Sequence, residues 1–407
     1  MARGYNRLPL AAALLAAASS ANAGISIPAG DWTLDIGGVV NAYYTSTRNS
    51  GTAVTGGLAG GASAAGVSNT QSNITTGLLP NVLSFSGKTR QNDLDVGFTI
   101  AIDPGASTVR SGIQTSAQSN TNQENRQAFL TVGDASWGSF KLGKDIGIFA
   151  QDAILNDMTL LGVGSAAGLL AGNTTTLGRI GTGFIYADWK SQIAYTTPNF
   201  NGFSATAGVT QSWNAIATGN SATSTTRGGA SPAFEGKASY AFATDAVTGK
   251  VWVSGITQNI EQLTSLAAVG SQRAEAWDIG ANVNVAGLGL TAYYYDGSGI
   301  GTSIQFRDGF DLAGNKRDSN GGYVQATYVL PTATKIGVSW GVSNLDKTSA
   351  EAASALVKEN EMWTIGVYHP LTKHLNLVAE YSDVKATAQT NVQAKAQTVS
   401  AGAILFF

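Results

Sequence analysis

Counted back from Phe407, every second residue of the carboxy-terminal segment is apolar: Leu405, Ala403, Ala401 and Val399. Gly402, Ser400 and Thr398 fall between them. A period of two marks a strand with one apolar and one polar face. The same pattern recurs upstream. Between Asp93 and Asp103, Leu94, Val96, Phe98, Ile100 and Ile102 share one face, opposite Asp93, Asp95, Gly97, Thr99 and Asp103. Trp277, Ile279, Ala281, Val283 and Val285 oppose Asp278, Gly280, Asn282 and Asn284. Leu375, Leu377, Ala379 and Tyr381 oppose Asn376, Glu380 and Ser382.

This periodicity predicts strands over 32–45, 81–90, 93–103, 124–134, 138–144, 190–198, 202–213 and 234–243. It continues over 249–258, 273–286, 288–296, 320–330, 333–343, 361–369, 374–384 and 396–407, sixteen strands in all. Short connections carry turn residues, as in Asp134-Ala135-Ser136-Trp137-Gly138, Pro198-Asn199-Phe200-Asn201-Gly202, Leu330-Pro331-Thr332 and His369-Pro370-Leu371-Thr372. Long Gly-, Ser-, Thr-, Asn- and Ala-rich connections fill 46–80, 104–123, 145–189, 214–233, 259–272, 297–319, 344–360 and 385–395. Short and long alternate throughout.

Asp95, Asp278 and Glu380 on the polar faces would each cost several kcal/mol in lipid, so those faces look into water. In hydrocarbon every backbone N–H and C=O needs an internal partner, which excludes an open sheet edge and makes the first strand pair with the last. The expectation is an all-β fold: a transmembrane antiparallel up-and-down β-barrel of about sixteen strands, with short periplasmic turns and long external loops. Sixteen strands leave an aqueous lumen. The amino-terminus supports export: Arg3 and Arg7, an apolar run over 8–18, then Ala21-Asn22-Ala23. This reads as a signal peptide over 1–23 that leaves 24–407 as the barrel.

Composition narrows the picture. Fifty glycines and only 12% charged residues suit a chain whose lipid and lumen faces average out. Without cysteine there is no disulfide framework, thiolate metal site or cysteine nucleophile. A formal charge of −2 gives no basis for nucleic-acid binding. His369 and His374 lack a third metal ligand and flank an inner turn, away from where a catalytic histidine would sit. No metal or cofactor is expected.

Several segments resemble the general trimeric porins of Gram-negative outer membranes. They are Leu83-Ser84-Phe85-Ser86-Gly87-Lys88, Arg126-Gln127-Ala128-Phe129-Leu130 and Trp137-Gly138-Ser139-Phe140-Lys141-Leu142-Gly143-Lys144. Ile193-Ala194-Tyr195-Thr196-Thr197-Pro198-Asn199-Phe200-Asn201-Gly202-Phe203 and the pair 362–384 with 396–407 extend the likeness over the mature chain. The resemblance implies a homotrimer in the bacterial outer membrane, in contact with lipid and lipopolysaccharide, that lets ions and small polar solutes diffuse passively. It implies no catalysis. It also implies that the third external loop, 145–189, folds into the barrel and narrows it; that loop's apolar residues (Ile146, Phe149, Leu160, Leu169 among them) suit packing on an inner wall.

The family sets loop acids against wall bases. By that resemblance Asp157 is the loop acid, with Asp145 and Asp152 nearby, and Arg126 and Arg179 are the facing bases. Lys88 points inward by parity. Opposed charges across a narrow gap orient water and favour hydrophilic solutes. Two departures weaken the field: Leu160-Leu161-Gly162-Val163-Gly164 replaces the family's Pro-Glu-Phe-Gly-Gly motif, and Val82 stands where an arginine is common. One conflict remains. If Arg126 faces the lumen, strict alternation sends Ala128 and Leu130 there too, unless a bulge or a subunit interface intervenes. The alternative function is a substrate-specific channel for a sugar or organic acid, with Trp252, Tyr293 and Tyr295 as aromatic lining; an outer-membrane enzyme is the third class considered.

Overall fold

Each strand pairs antiparallel with its neighbours, and the pairing returns to its starting point. The computed structural model describes residues 24–106, 123–166, 175–218, 231–261 and 270–407. The expected signal peptide, 1–23, lies outside the described residues. The strands are β1 (Ile25–Ala29), β2 (Trp32–Gly51), β3 (Thr70–Thr75), β4 (Val82–Gln91), β5 (Leu94–Pro104), β6 (Gln123–Asp134), β7 (Gly138–Ile146), β8 (Trp189–Thr196) and β9 (Phe203–Thr210). There follow β10 (Ala233–Ala243), β11 (Val247–Ile260), β12 (Gln272–Val285), β13 (Leu288–Ser298), β14 (Asp318–Val329), β15 (Lys335–Leu345), β16 (Val357–Pro370), β17 (Leu375–Ala388) and β18 (Gln393–Phe406).

These segments make sixteen staves. Against one edge of β2, β3 and β4 follow one another and share a stave. Against the other, β18 pairs from Phe406↔Val39 to Ala394↔Gly51, and β1 prolongs the same line from Ile25↔Ile36 to Ala29↔Trp32. Reciprocal hydrogen bonds between Gly38 and Phe407, 2.7 and 3.0 Å, knit the terminus into the ring. Among the described residues the ring closes through β18 and β2, as a bilayer demands.

The alternation is inside-out relative to a soluble sheet. Ile279, Leu290, Val324, Val338 and Ile365 are exposed on the outer face, while Ser254, Asp278, Ser339, Thr364 and Glu380 are buried within. The short connections use backbone the sequence can supply. Asn92 and Asp93 (φ 48° and 61°) turn β4 into β5, and Ala286 and Gly287 (φ 47° and 83°) turn β12 into β13. Both are two-residue turns with positive φ at each central position, the geometry whose twist fits a hairpin.

A bulge settles the parity conflict in β6. Its register with β5 runs from Ala101↔Gln127 to Asp103↔Glu124, so Asn125 and Arg126 of β6 face the single residue Ile102 of β5. The extra residue lets Gln127, Phe129 and Thr131 keep the inner face and Leu130 the outer. Arg126, 5% exposed, still reaches the inner acids Asp103 and Glu124.

Candidate functional site

Between β7 and β8, the described residues 147–166 and 175–188 lie against side chains that the strand alternation points inward. They include a short helix, α1 (Gln151–Asn156), and a 3-10 turn (Met158–Leu161). Three wall carboxylates hold its backbone. Glu235 Oε2 accepts the N–H of Ile148 and Phe149 at 2.8 and 2.9 Å. Asp278 Oδ2 and Ser254 Oγ accept the N–H of Ala150, whose φ of 61° turns the chain into α1. Glu380 Oε2 accepts Val163 and Gly164, both at 2.8 Å. Further round, Tyr323 donates to the Ala153 carbonyl, Gln325 bonds both Met158 and Asn156, and Tyr43 donates to the Leu161 carbonyl. Buried backbone amides need partners, and here the wall groups supply them.

The six residues singled out by sequence fall into separate places. Asp157 and Arg179 meet each other: both side chains are fully buried, with Arg179 Nε 3.9 Å from Asp157 Oδ1. Burial raises the Asp157 carboxyl above the usual range, and Arg179, at that distance, offsets this only in part. The guanidinium also donates to the Met362 carbonyl (3.0 Å) and lies over the Tyr323 ring. Asp152, on α1, is met by Lys237 and Lys250 from β10 and β11. Its burial alone would raise the carboxyl, but the two lysines outweigh that and hold it below the usual range. Asp145 ends β7 and takes Lys141 and Gln127. Arg126 pairs with Asp103 and Glu124 and lies over Trp189, and Lys88 stands apart with Asp35 at 3.6 Å. The loop acids therefore meet Lys237, Lys250 and Arg179 rather than Arg126 or Lys88.

Sequence reasoning missed Lys141, Lys237 and Lys250 as site residues and Glu235, Asp278 and Glu380 as loop anchors. Parity alone places them inward, so the signal was present. It also placed Trp252, Tyr293 and Tyr295 inward. All three are buried, with Tyr293 bonded to Asp278, so they support the loop from behind and offer no open face to a solute.

Other external loops also turn inward. In the connection 299–317, Gln305 accepts from the buried Lys190, itself paired with Glu235 at 2.6 Å, and the Tyr186 N–H donates to the Ser303 carbonyl. In the connection 52–69, the Leu58 N–H donates to Asn360. The three loops meet at Gly181 (φ 78°), where a Cβ would come within 2.7 Å of Leu58 Cδ1 and 2.8 Å of Ser303 Cβ. Only glycine suits that position.

A closed sixteen-stave barrel with apolar outer walls, a polar interior and a loop drawn across it defines an outer-membrane channel. Residues 10–389 match the Gram-negative porin family, and the chain belongs to it. It is a channel of the outer membrane for the passive diffusion of solutes; family and fold are those of channels rather than enzymes. Among solved structures it is similar to the outer-membrane channel DcaP of Acinetobacter baumannii, with TM-score 0.66 and 16% identity over 95% of this chain and 100% of that one. The anion-selective porin from Comamonas acidovorans gives 0.59 and 15% identity over 92% and 100%. OmpT of Vibrio cholerae in its trimer form gives 0.51 and 11% identity over 92% and 99%. At these identities the likeness is one of fold. No curated protein sequence matches the chain.

Proposed function

We propose that the channel passes ions and small hydrophilic solutes without chemical change, and that loop 147–188 sets its narrowest section. One observation carries this: the loop's amides are bound by inward-facing Glu235, Asp278 and Glu380, which holds it within the lumen. Within that section, Asp152 and Asp145 with their lysines are the charges that meet passing solutes. Asp157 and Arg179 shape the loop from inside, Arg126 anchors the wall above it, and Lys88 lines the vestibule on the side of the short turns. We further propose a cleaved signal peptide over 1–23 and a homotrimer seated among outer-membrane lipid and lipopolysaccharide. The trimer form of the similar Vibrio cholerae OmpT supports that assembly.

A planar-bilayer recording of the purified protein tests the reading. Large conductance steps grouped in threes are expected, and their absence would overturn it. The inward packing of 299–317 and 52–58 favours a second reading, a channel selective for a narrower class of solute. Current block by one solute class and not by others of equal size would distinguish it.

A further inference from the structure

Toward the long loops, the outer wall carries a row of exposed aromatic rings. Trp277, Tyr294, Trp340 and Trp363 stand outward on β12, β13, β15 and β16. Such a girdle marks the level at which lipid head groups meet a barrel. Phe234 on β10 continues the row, but between it and Trp277 the row is broken. One register line there reads Phe234, Thr257, Glu275, Ser298, Asp318, and the next line down reads Gly236, Gly255, Trp277, Asp296. The two glycines answer no demand of the barrel. Neither has positive φ, and an added Cβ would meet its nearest atom at 3.6 Å on Gly236 and 3.4 Å on Gly255, ordinary contact distances. Their bare backbone floors a notch of about 600 Å³ in the outer wall.

The rim of the notch carries both signs of charge. Glu275, Asp296 and Asp318 line it, Lys316 lies 4.0 Å from Glu275, and Arg273 shares the outward face of β12 two residues above. Three carboxylates against two bases leave acid in excess. Toward the short turns the wall becomes apolar at once. Ala238, Val253 and Ile279, then Tyr240, Val251 and Ala281, line a trough of about 570 Å³. A charged notch directly over an apolar trough, both open to the bilayer, has the polarity profile of a lipid standing on end. A solute in water has no use for the trough, and an apolar membrane helix would leave the rim charges unmet.

We propose that this face holds one membrane lipid whose head group joins a primary amine to a phosphate. The amine meets Asp296 and Asp318 beside the face of Trp277, where a cation is also favoured. The phosphate meets Arg273 and Lys316, and one acyl chain passes over Gly236 and Gly255 into the trough. Covering the trough gives no preference by itself, because every neighbouring lipid offers the same hydrocarbon. The charges of the rim supply the selection. The inference concerns the outer wall and goes beyond the channel reading.

The test uses the purified full-length mature protein in detergent, titrated with dioleoyl phosphatidylethanolamine and followed by native mass spectrometry. One lipid per chain is expected to be retained, with affinity on the order of tenfold above that of two controls. These are N-acetyl phosphatidylethanolamine, which keeps the chains and phosphate but loses the charged amine, and phosphatidylglycerol. The variant D296N/D318N is expected to abolish the preference. Valine suits an outward strand position, so G236V/G255V should fill the notch, lose the retained lipid and keep wild-type conductance steps. Equal retention of the three lipids by the wild-type chain, or retention unchanged in G236V/G255V, overturns the proposal. Should the valine pair fail to assemble, a preference kept intact in D296N/D318N overturns it alone. Displacement of the lipid by soluble phosphoethanolamine at equal concentration would assign the notch to a water-borne ligand and overturn the lipid.

Discussion

Glu380 Oε2 accepts the backbone N–H groups of Val163 and Gly164 together, each at 2.8 Å, while its other oxygen accepts the Tyr368 hydroxyl at 2.7 Å. One wall carboxylate therefore seats the loop tip that replaces the family's acidic motif. Gly162 lies so close that a Cβ there would overlap the carboxylate. Hydrogen bonds to a charged acceptor contribute about 1.5–3 kcal/mol each. Glu380→Ala is therefore expected to release the loop and leave the barrel folded, with noisier single-channel current and faster proteolysis within 147–188. Glu380→Gln keeps an acceptor oxygen and should fall between. Quiet, unchanged traces from Glu380→Ala would show that this seat does not hold the loop.

The bulge in β6 makes a different prediction. Deleting Asn125 removes the extra residue opposite Ile102 and restores strict alternation. Arg126 would then turn outward, and a basic side chain on the lipid face costs up to about 2–4 kcal/mol, falling toward the interface. Asp103 would also lose its partner at 3.3 Å. Reduced insertion into vesicles and a lower thermal midpoint are expected. Replacing Asn125 by serine, which keeps the count, should leave both near wild type. Equal behaviour of the two variants would mean that the bulge does not set the side of Arg126.

Asp152 gives the channel a pH response of defined sign. Its folded-state carboxyl is held below the usual range by Lys237 and Lys250 against the opposing effect of burial. A depressed carboxyl contributes stability that is present above its unfolded value and is lost as pH falls through the folded one. Conductance should therefore be steady from neutral pH down through the usual carboxylate range and become unstable only below it. Asp152→Asn should show the unstable behaviour already at neutral pH. Instability setting in well above the ordinary carboxylate range would point to another group.

Much of this was legible in the sequence, and the failures have causes. Alternation located all sixteen staves because the outer face must be apolar at lipid depth. It stopped short at Thr45 in β2 and began late at Glu361 in β16, because beyond the bilayer pairing continues between polar residues. Thr47 meets Thr398 at 2.9 Å there, and Lys385 meets Glu359 and Glu361. The strand β3, Thr-Gln-Ser-Asn-Ile-Thr, carries no apolar alternation, and β1, Ile-Ser-Ile-Pro-Ala, alternates over only five residues with Pro28 inside it. The site was less legible for a related reason. The family resemblance put Asp157 on the inner loop and parity points Lys237 inward, but neither shows which of them meets water and which is sealed behind a loop. Asp157 was sealed and Lys237 was not.

The last prediction concerns the route above the inner loop. Gln305 and Ser303 tie the connection 299–317 to Lys190 and Tyr186, and its own Ile300 and Phe306 are fully buried. Replacing 301–315 with a short Gly-Ser linker removes this packing. It leaves the bonds from Glu235 to Ile148 and Phe149, so the inner loop keeps its first anchor. If the external route is limited by 299–317, conductance should rise and larger neutral polymers should enter, with the quiet traces of an anchored inner loop. Glu380→Ala should instead add noise without this change in polymer access. Glu235→Gln offers the complementary probe. It keeps the loop but strips the buried Lys190 of its counter-ion, a loss of about 3–5 kcal/mol for a broken buried pair. That variant should lower the thermal midpoint without enlarging the pore. Unchanged conductance after replacement of 301–315 would place the whole restriction at the inner loop.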